Sequence, residues 1–285
     1  MARPAALLWE WLCRQVDPAA RDWLTETATA AKGSDAALFK GVSLVHRRIG
    51  KADLSVGPED RAAAEAARPG WDQTGWSTDQ AARIWLLLEA GGIGEAFAVR
   101  LKTLFSSADV AETIAFLRGL PLFPDPERHL FLAREGARSN MRPVFEAVAH
   151  RSPYPREMFD ENAWNHMVLK ALFVGAALWP IQGLDERANP ELARILRDYA
   201  HERWAAGRPV TPELWRCVGR FADEEALGDL ERLMQEGDER EREGAALALA
   251  DCPLPRAQAL LAAAPELQAA VSRGDLTWTG LGRTL

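Results

Sequence analysis

Apolar positions recur along this chain at intervals of three and four, the spacing that gathers them on one face of an α-helix. No stretch shows sustained strand alternation flanked by hairpin turns. Leu7, Leu8, Trp11 and Leu12 make the first apolar face. Asp17-Pro18 puts a capping residue before a proline at the first helical position and predicts the start of a second helix. Ser34 or Asp35 begins a third, with Leu38, Phe39, Val42 and Val45 on one side. An Ala-rich helix is predicted near 59–67, and Ser77-Thr-Asp-Gln reads as a capping box ahead of Ile84-Trp-Leu-Leu-Leu, which Gly91-Gly92 stops. Shorter helices follow near 94–104, 108–117 and 141–149, and Asp125-Pro126 repeats the cap-plus-proline signal. Beyond Phe221 the apolar positions Leu227, Leu230, Leu233 and Met234, then 245–250 and 257–261, read as helical hairpins. Their roughly thirty-residue spacing predicts HEAT-like α-solenoid character toward the C-terminus. The fold class expected is all-α, a multi-helix protein of right-angle and hairpin-packed helices.

A chain of 285 residues can bury a sizeable core. The polar connection 50–58 and the Arg68-Pro-Gly-Trp break suggest an N-terminal helical region 1–68, a central core 69–221 and C-terminal hairpins 222–285, packed as one continuous all-α domain. A net charge of −7 gives a field that repels phosphate backbones and anionic lipid, so nucleic acid is not an expected partner. Cys13, Cys217 and Cys252 are far apart with no C-x-x-C, which indicates reduced thiols and no disulfide framework or zinc knuckle. The apolar patch Ala5-Ala-Leu-Leu-Trp is interrupted by Glu10 and Arg14, and the run 171–181 is too short to span a bilayer. The expectation is a cytoplasmic protein without an intrinsic membrane segment.

Chemistry-bearing side chains crowd between Asn162 and Phe221. At about 3.6 residues per turn, the helix predicted over 160–174 is apolar nearly all round, which marks a helix buried on most sides. Its exceptions align: Asn162, His166 and Lys170 fall at successive i, i+4 positions, with Asn165 on the flank. Lys170 either carries its ammonium out to water along its stem or meets a carboxylate and lines a pocket. On the next helix, 190–206, Asn189 is the N-cap and Leu192, Ile195, Leu196 and Tyr199 define the buried face. Arg203 falls within that face and His201 falls opposite, toward solvent. An inward guanidinium calls for a carboxylate or an anionic ligand, and Asp185 and Glu186 are the nearest acids in sequence. Either a structural ion pair or a ligand contact satisfies it.

Other chemistry has weaker support. Asp125/His129 and Glu146/His150 at i, i+4 read as exposed pairs on solvated faces. No Walker, Rossmann, G-x-S-x-G or H-E-x-x-H pattern is present, and the doubled Glu-x-x-His of di-iron bundles is missing, so neither a metal nor another cofactor is expected. Cys217, beside Trp215 and Val218, reads as a core thiol on a helix. The 11 tryptophans are the compositional outlier; several, Trp71, Trp76, Trp164 and Trp204 among them, flank polar loops or helix ends. Indole walls suit an apolar or ring-shaped ligand, and they also fill gaps in a helical core.

Four segments carry a family pattern: Glu135-Gly-Ala-Arg-Ser-Asn-Met, Asn165-His-Met-Val-Leu-Lys-Ala-Leu-Phe, Gly183-Leu-Asp-Glu-Arg-Ala-Asn-Pro-Glu-Leu-Ala-Arg and Asp198-Tyr-Ala-His-Glu-Arg-Trp-Ala-Ala-Gly-Arg. From about 114 to 221 the chain resembles the EboA family, encoded in bacterial ebo clusters and described as metabolite traffic proteins. The resemblance implies a place in a secondary-metabolite biosynthesis and export pathway, with a small metabolite or other ebo-pathway proteins as partners, and it brings no catalytic role. The residues at Lys170, Asp185, Arg187, Asn189, His201, Glu202, Arg203 and Trp204 match the family pattern. At His166 the family often carries Gln, which argues against an essential acid-base or metal function there. The candidate ligand-binding set is therefore Asn165, His166, Lys170, Asp185, Arg187, Asn189, Arg203 and Trp204, in a non-catalytic cytosolic metabolite-binding or scaffold protein. The alternative is an enzyme of the same pathway acting on a small cyclitol-like or prenylated intermediate, with Lys170 and His201 as acid-base groups and Arg203 as anion clamp.

Overall fold

A computed structural model describes residues 3–284. Among them the regular structure is helical, with one isolated antiparallel bridge between Asp53 and Ser77. The all-α expectation holds. The chain forms two compact units, Met1–Asp160 and Glu161–Leu285. Arg68 and Phe221, where composition suggested divisions, lie inside the first and the second unit respectively.

The first unit contains α1 (Pro4–Gln15), α2 (Pro18–Ala31), α3 (Asp35–Ile49), α4 (Pro58–Ala67), α5 (Thr78–Ala90), α6 (Gly94–Ser107), α7 (Val110–Gly119), α8 (Leu130–Arg138), α9 (Arg142–Ala149) and the single turn α10 (Tyr154–Met158). Leu7, Leu8, Trp11 and Leu12 are the buried face of α1, and Leu38, Val42 and Val45 that of α3, with Phe39 half-buried at its edge. Ser34 is the N-cap of α3, accepting from the Ala37 N–H at 3.2 Å. Asp17 occupies the N-cap of α2, but its side chain makes no capping bond.

Helix α5 is the centre of this unit, packed by α1, α2, α3 and α7. Its apolar run Ile84-Trp-Leu-Leu is buried, and so are two charges one turn apart. Arg83 Nη1 donates to Asp79 Oδ2 at 2.5 Å, with Arg83 0% and Asp79 2% exposed. Burial of a guanidinium is tolerable only with a counter-ion this close. The Ser77 hydroxyl donates to the other Asp79 oxygen, and Gln80 Oε1 accepts from the Ser77 N–H at 3.3 Å, so the first turn of α5 is tied to its own charge pair. The polar connection before α4 runs beside this turn: Leu54 N–H donates to the Trp76 carbonyl and Thr78 N–H to the Ala52 carbonyl, both at 2.8 Å. Trp9 stacks on Trp85 with ring centroids 4.6 Å apart, and Trp71 lies 5.2 Å from Trp11 and 6.2 Å from Trp76.

The Asp125-Pro126 signal starts a short 3-10 turn, Pro126–His129, that leads into α8. Asp125 has left-handed backbone, φ 52°, and its carboxylate accepts from the Gly94 N–H at 2.9 Å, capping α6 from outside its own segment. The expected solvated Asp125/His129 pair is not what forms. His129 is 1% exposed, packed edge-on against Phe97 and Phe123, with Nε2 donating to the Pro124 carbonyl at 2.9 Å. The 3-10 turn breaks the helical phasing on which the exposed reading rested. Burial holds the His129 imidazole below its ordinary range, and the Pro124 carbonyl offsets part of that effect.

The second unit contains α11 (Glu161–Val174), α12 (Pro190–Ala205), α13 (Glu224–Glu236), α14 (Glu239–Asp251), α15 (Pro255–Ala262), α16 (Pro265–Arg273) and α17 (Trp278–Thr284), with 3-10 turns at Pro212–Cys217 and Gly219–Phe221. Its centre is α14, buried without interruption from Gly244 to Leu249. Two glycines set how closely the 3-10 turns approach it. A Cβ on Gly219 would lie 2.5 Å from the Ala248 carbonyl oxygen, and one on Gly244 would lie 2.7 Å from Pro212 Cβ. Helices α13, α15, α16 and α17 also pack on α14. This gathering on one helix differs from the neighbour-only stacking of a solenoid, so the HEAT-like expectation is not confirmed.

Asp79→Ala is expected to destabilise the protein by about 3 kcal/mol, because Arg83 then stays buried without a counter-ion; Asp79→Ala with Arg83→Met should recover most of that loss. Urea unfolding followed by tryptophan fluorescence measures both. A second expectation concerns acid. His129 is depressed in the folded state, so the unfolded chain binds its proton first, and stability falls as pH drops below the ordinary histidine range. In melting curves taken from pH 7 down to pH 5, His129→Gln should show a shallower fall than the native chain.

Candidate functional site

The stretch that is richest in reactive residues folds largely onto itself. Asn189 caps α12, its Oδ1 accepting from the Leu192 N–H at 2.9 Å. The same side chain pairs with Asn165 amide to amide: Asn165 Nδ2 donates to Asn189 Oδ1 at 3.2 Å, and Asn189 Nδ2 donates to Asn165 Oδ1 at 2.9 Å. Asn189 Nδ2 also donates to the Arg187 carbonyl at 3.1 Å. The Arg187 guanidinium sits 4.7 Å from the centre of the buried Trp164 ring. Asn165, Arg187 and Asn189 are thus brought together as a clamp between α11 and α12, with amide hydrogen-bonding capacity directed inward.

The other candidates take different partners. His166 is exposed and Lys170 half-buried on α11. That helix was expected to be buried on most sides, yet Phe173 is 63% exposed and rests edge-on against Tyr199 of α12. Asp185, expected near Arg203, instead forms a two-pronged pair with Arg216, whose Nε and Nη2 donate to Oδ1 and Oδ2, both at 2.6 Å. Among the described residues, Arg203 does not meet a carboxylate. Its Nε and Nη2 donate to the Pro209 carbonyl at 3.2 and 3.0 Å, fastening the chain that leaves α12 to the helix's last turn. The acceptor is a backbone carbonyl of the chain beyond the helix end, which an argument from helical phase alone overlooks. His201 is exposed as expected and pairs with Asp229 at 2.8 Å. Trp204 lies 5.7 Å from the His201 ring and 5.8 Å from Trp215, with the Arg232 guanidinium 3.7 Å from its centre.

Two buried groups complete this unit. Glu213, which phasing did not single out, is 2% exposed and accepts from the Leu178 N–H at 2.9 Å and the Trp179 N–H at 2.6 Å. Burial pushes its carboxyl up, and the two amides and Arg216 pull it back. The sequence Thr211-Pro-Glu shows only a helix start, and the long-range amide partners have no local signal. Cys217 is the core thiol expected, at the end of a 3-10 turn, pushed up to about 12 by burial and so not a nucleophile.

A cavity of about 270 Å³ lies in the first unit, where the C-terminal ends of α7 and α9 meet the loop before α5. The loop contributes Trp71, Asp72, Thr74, Gly75 and Trp76. Arg118 in the last turn of α7 enters it, its Nη1 donating to the Gly75 carbonyl and to Gln80 Oε1, both at 2.6 Å. Gln80 thereby connects the cavity to the first turn of α5. Burial depresses Arg118, with Glu146 acting against that shift and Arg151 reinforcing it; a guanidinium stays charged regardless. From α9 come Glu146, held by Arg142 at 2.6 Å, and His150 at the helix end, so this pair is not the exposed face its spacing suggested. Arg151 follows with left-handed backbone, φ 53°, a conformation that costs a non-glycine residue energy and that recurs where side-chain placement matters. Its Nη1 lies 3.7 Å from Asp72 Oδ2. The indoles of this site carried a signal in the sequence as aromatic walls beside polar loops, and Glu146/His150 one as an i, i+4 pair; Arg118 and Arg151 carried none. A shallower cavity of about 320 Å³ lies between α6 and α8, beneath the exposed Val99 and Phe131. Among the described residues, no group of three or more His, Cys, Asp or Glu is placed to hold a metal ion.

The fold is an all-helical one, with a polar, indole-walled cavity in the first unit and an internally satisfied polar cluster in the second. The family pattern of the metabolite traffic protein EboA matches residues 5–219, and the chain belongs to the EboA family. The match starts far ahead of the expected 114–221, ends at 219, and takes in the whole of the cavity in the first unit. No curated protein and no solved structure matches the chain.

Asn189→Ala removes the α12 cap and leaves the buried Asn165 amide unpaired. It is expected to cost about 2 kcal/mol in thermal or urea unfolding, whereas His166→Gln, at an exposed position, should leave stability within about 0.5 kcal/mol of the native value.

Proposed function

We propose that this chain is a non-catalytic, cytosolic metabolite-binding protein of an ebo-type biosynthesis and export pathway, and that its ligand occupies the cavity among Trp71, Trp76, Arg118, His150 and Arg151. Membership in the EboA family supports a role in metabolite traffic. The observation that carries the binding reading is the cavity itself: about 270 Å³ of space with indole and guanidinium groups in one wall set, a size and lining suited to a small ring-bearing molecule. Among the described residues no helix is long and apolar enough to cross a membrane. The Asn165, Arg187 and Asn189 clamp then serves to fix the α11–α12 connection. The rival reading, Lys170 and His201 as acid-base groups with Arg203 as anion clamp, draws less support, since His201 is engaged by Asp229 and Arg203 by Pro209.

The reading is tested by comparing two chains purified alike from the producing cells: the native chain and Thr74→Trp, a substitution at an exposed lining position that fills the cavity. Small molecules released on denaturation are identified by mass spectrometry. A molecule recovered from the native chain and lost from Thr74→Trp, with both chains melting alike when empty, is the expected result. Recovery of nothing from either chain, together with no thermal shift from ring-bearing and cyclitol-like compounds, overturns it.

A further inference from the structure

The two acids of the cavity are already engaged and one of its cations is not. Glu146 accepts from Arg142 Nε at 2.6 Å. Asp72 accepts from the Thr74 N–H at 2.8 Å and has Arg151 3.7 Å away. Arg118 is partly buried, and both of its hydrogen bonds leave from Nη1 toward neutral acceptors, the Gly75 carbonyl and Gln80 Oε1. Among the described residues, its Nε and Nη2 have no hydrogen-bond acceptor, and no carboxylate lies within ion-pair distance of it. That adjacent pair of N–H groups is the side-on fork with which arginine grips a carboxylate or phosphate through two parallel bonds.

Trp71, 4% exposed, adds an indole wall to the same lining. The ends of α7 and α9 here are carbonyl ends, whose partial negative charge favours the guanidinium groups and opposes an anion elsewhere in the cavity. The guanidinium edge is therefore the place where negative charge can be received.

We propose that the cavity is an anion subsite: its ligand carries a carboxylate or phosphate that is held by the Nε and Nη2 edge of Arg118, with Arg151 as the second cation and the indoles of Trp71 and Trp76 against the rest of the molecule. The proposal rests on the reading that this cavity binds a metabolite, and it names the chemical class.

The test is calorimetric titration of the full chain at fixed ionic strength with benzoate, phenyl phosphate and benzamide, three probes that share a ring and differ in the polar group. One of the two anions should bind at least about tenfold more tightly than benzamide, and which anion does so tells a carboxylate ligand from a phosphate ligand. Arg118→Gln and Arg151→Gln should each reduce that preference, and Arg118→Lys, which keeps the charge and loses the fork, should retain only part of it. Melting curves of the empty variants are recorded first. If Arg118→Gln does not fold, Arg151→Gln and Arg118→Lys decide the matter. Benzamide binding as tightly as both anions, or an anion preference that survives the substitutions, overturns the anion assignment and leaves the metabolite reading intact. Binding of none of the three overturns it as well; the metabolite reading then stands only if the Thr74→Trp comparison recovered a molecule.

Discussion

A guanidinium enclosed in the middle of α5 sets conditions on much of the first unit. Arg83 can be buried only because Asp79, one turn earlier, supplies its counter-charge, and that acid must in turn be held in place. The Ser77 hydroxyl holds it from the loop side. Gln80, in the same turn, accepts from both the Ser77 amide and Arg118. The geometry of the cavity therefore follows from the electrostatics of a helix start: the loop carrying Trp71 and Trp76 is shaped where α5 begins, and Arg118 is oriented by the same glutamine that closes that turn.

Much of this fold was legible in the sequence, and the reasons differ by element. Local signals were sufficient where the physics is local. Ser34, Ser77 and Asn189 stand at the helix starts where their side chains predicted them, and the apolar faces of α1 and α3 follow from spacing; on α12 the buried face is Leu192, Ala193, Leu196 and Ala200, with the expected Ile195 and Tyr199 half-buried at its edge. The departures arise where a partner is distant in sequence or a helix is not α. His129 was misjudged because a 3-10 turn breaks the period, and Arg203 because its acceptor is a carbonyl beyond the helix end. Arg83 and Asp79 at i, i+4 would ordinarily be taken for a solvated pair, and only tertiary packing encloses them.

The same contrast explains why the site was harder to read than the fold. The residues between Asn162 and Phe221 look reactive because they are polar and close together, and proximity lets them satisfy one another: Asn165 with Asn189, Asp185 with Arg216, His201 with Asp229. The cavity residues come from three separate segments, and only the fold assembles them. A polar group with a neighbour to bond is structural by default. One left with unused donors after folding is where an external molecule has something to gain.

Gly219 gives the family relationship a physical limit. It is the last residue of the matched region, and its backbone lies directly against Ala248, which is outside that region. The helix around which the second unit is assembled, α14, belongs entirely to the part of the chain that the shared pattern does not describe. The edge of sequence kinship thus cuts through a hydrophobic core. In this chain, residues outside the shared pattern supply the surface on which the Pro212–Phe221 turns rest, so the matched region does not close its own core.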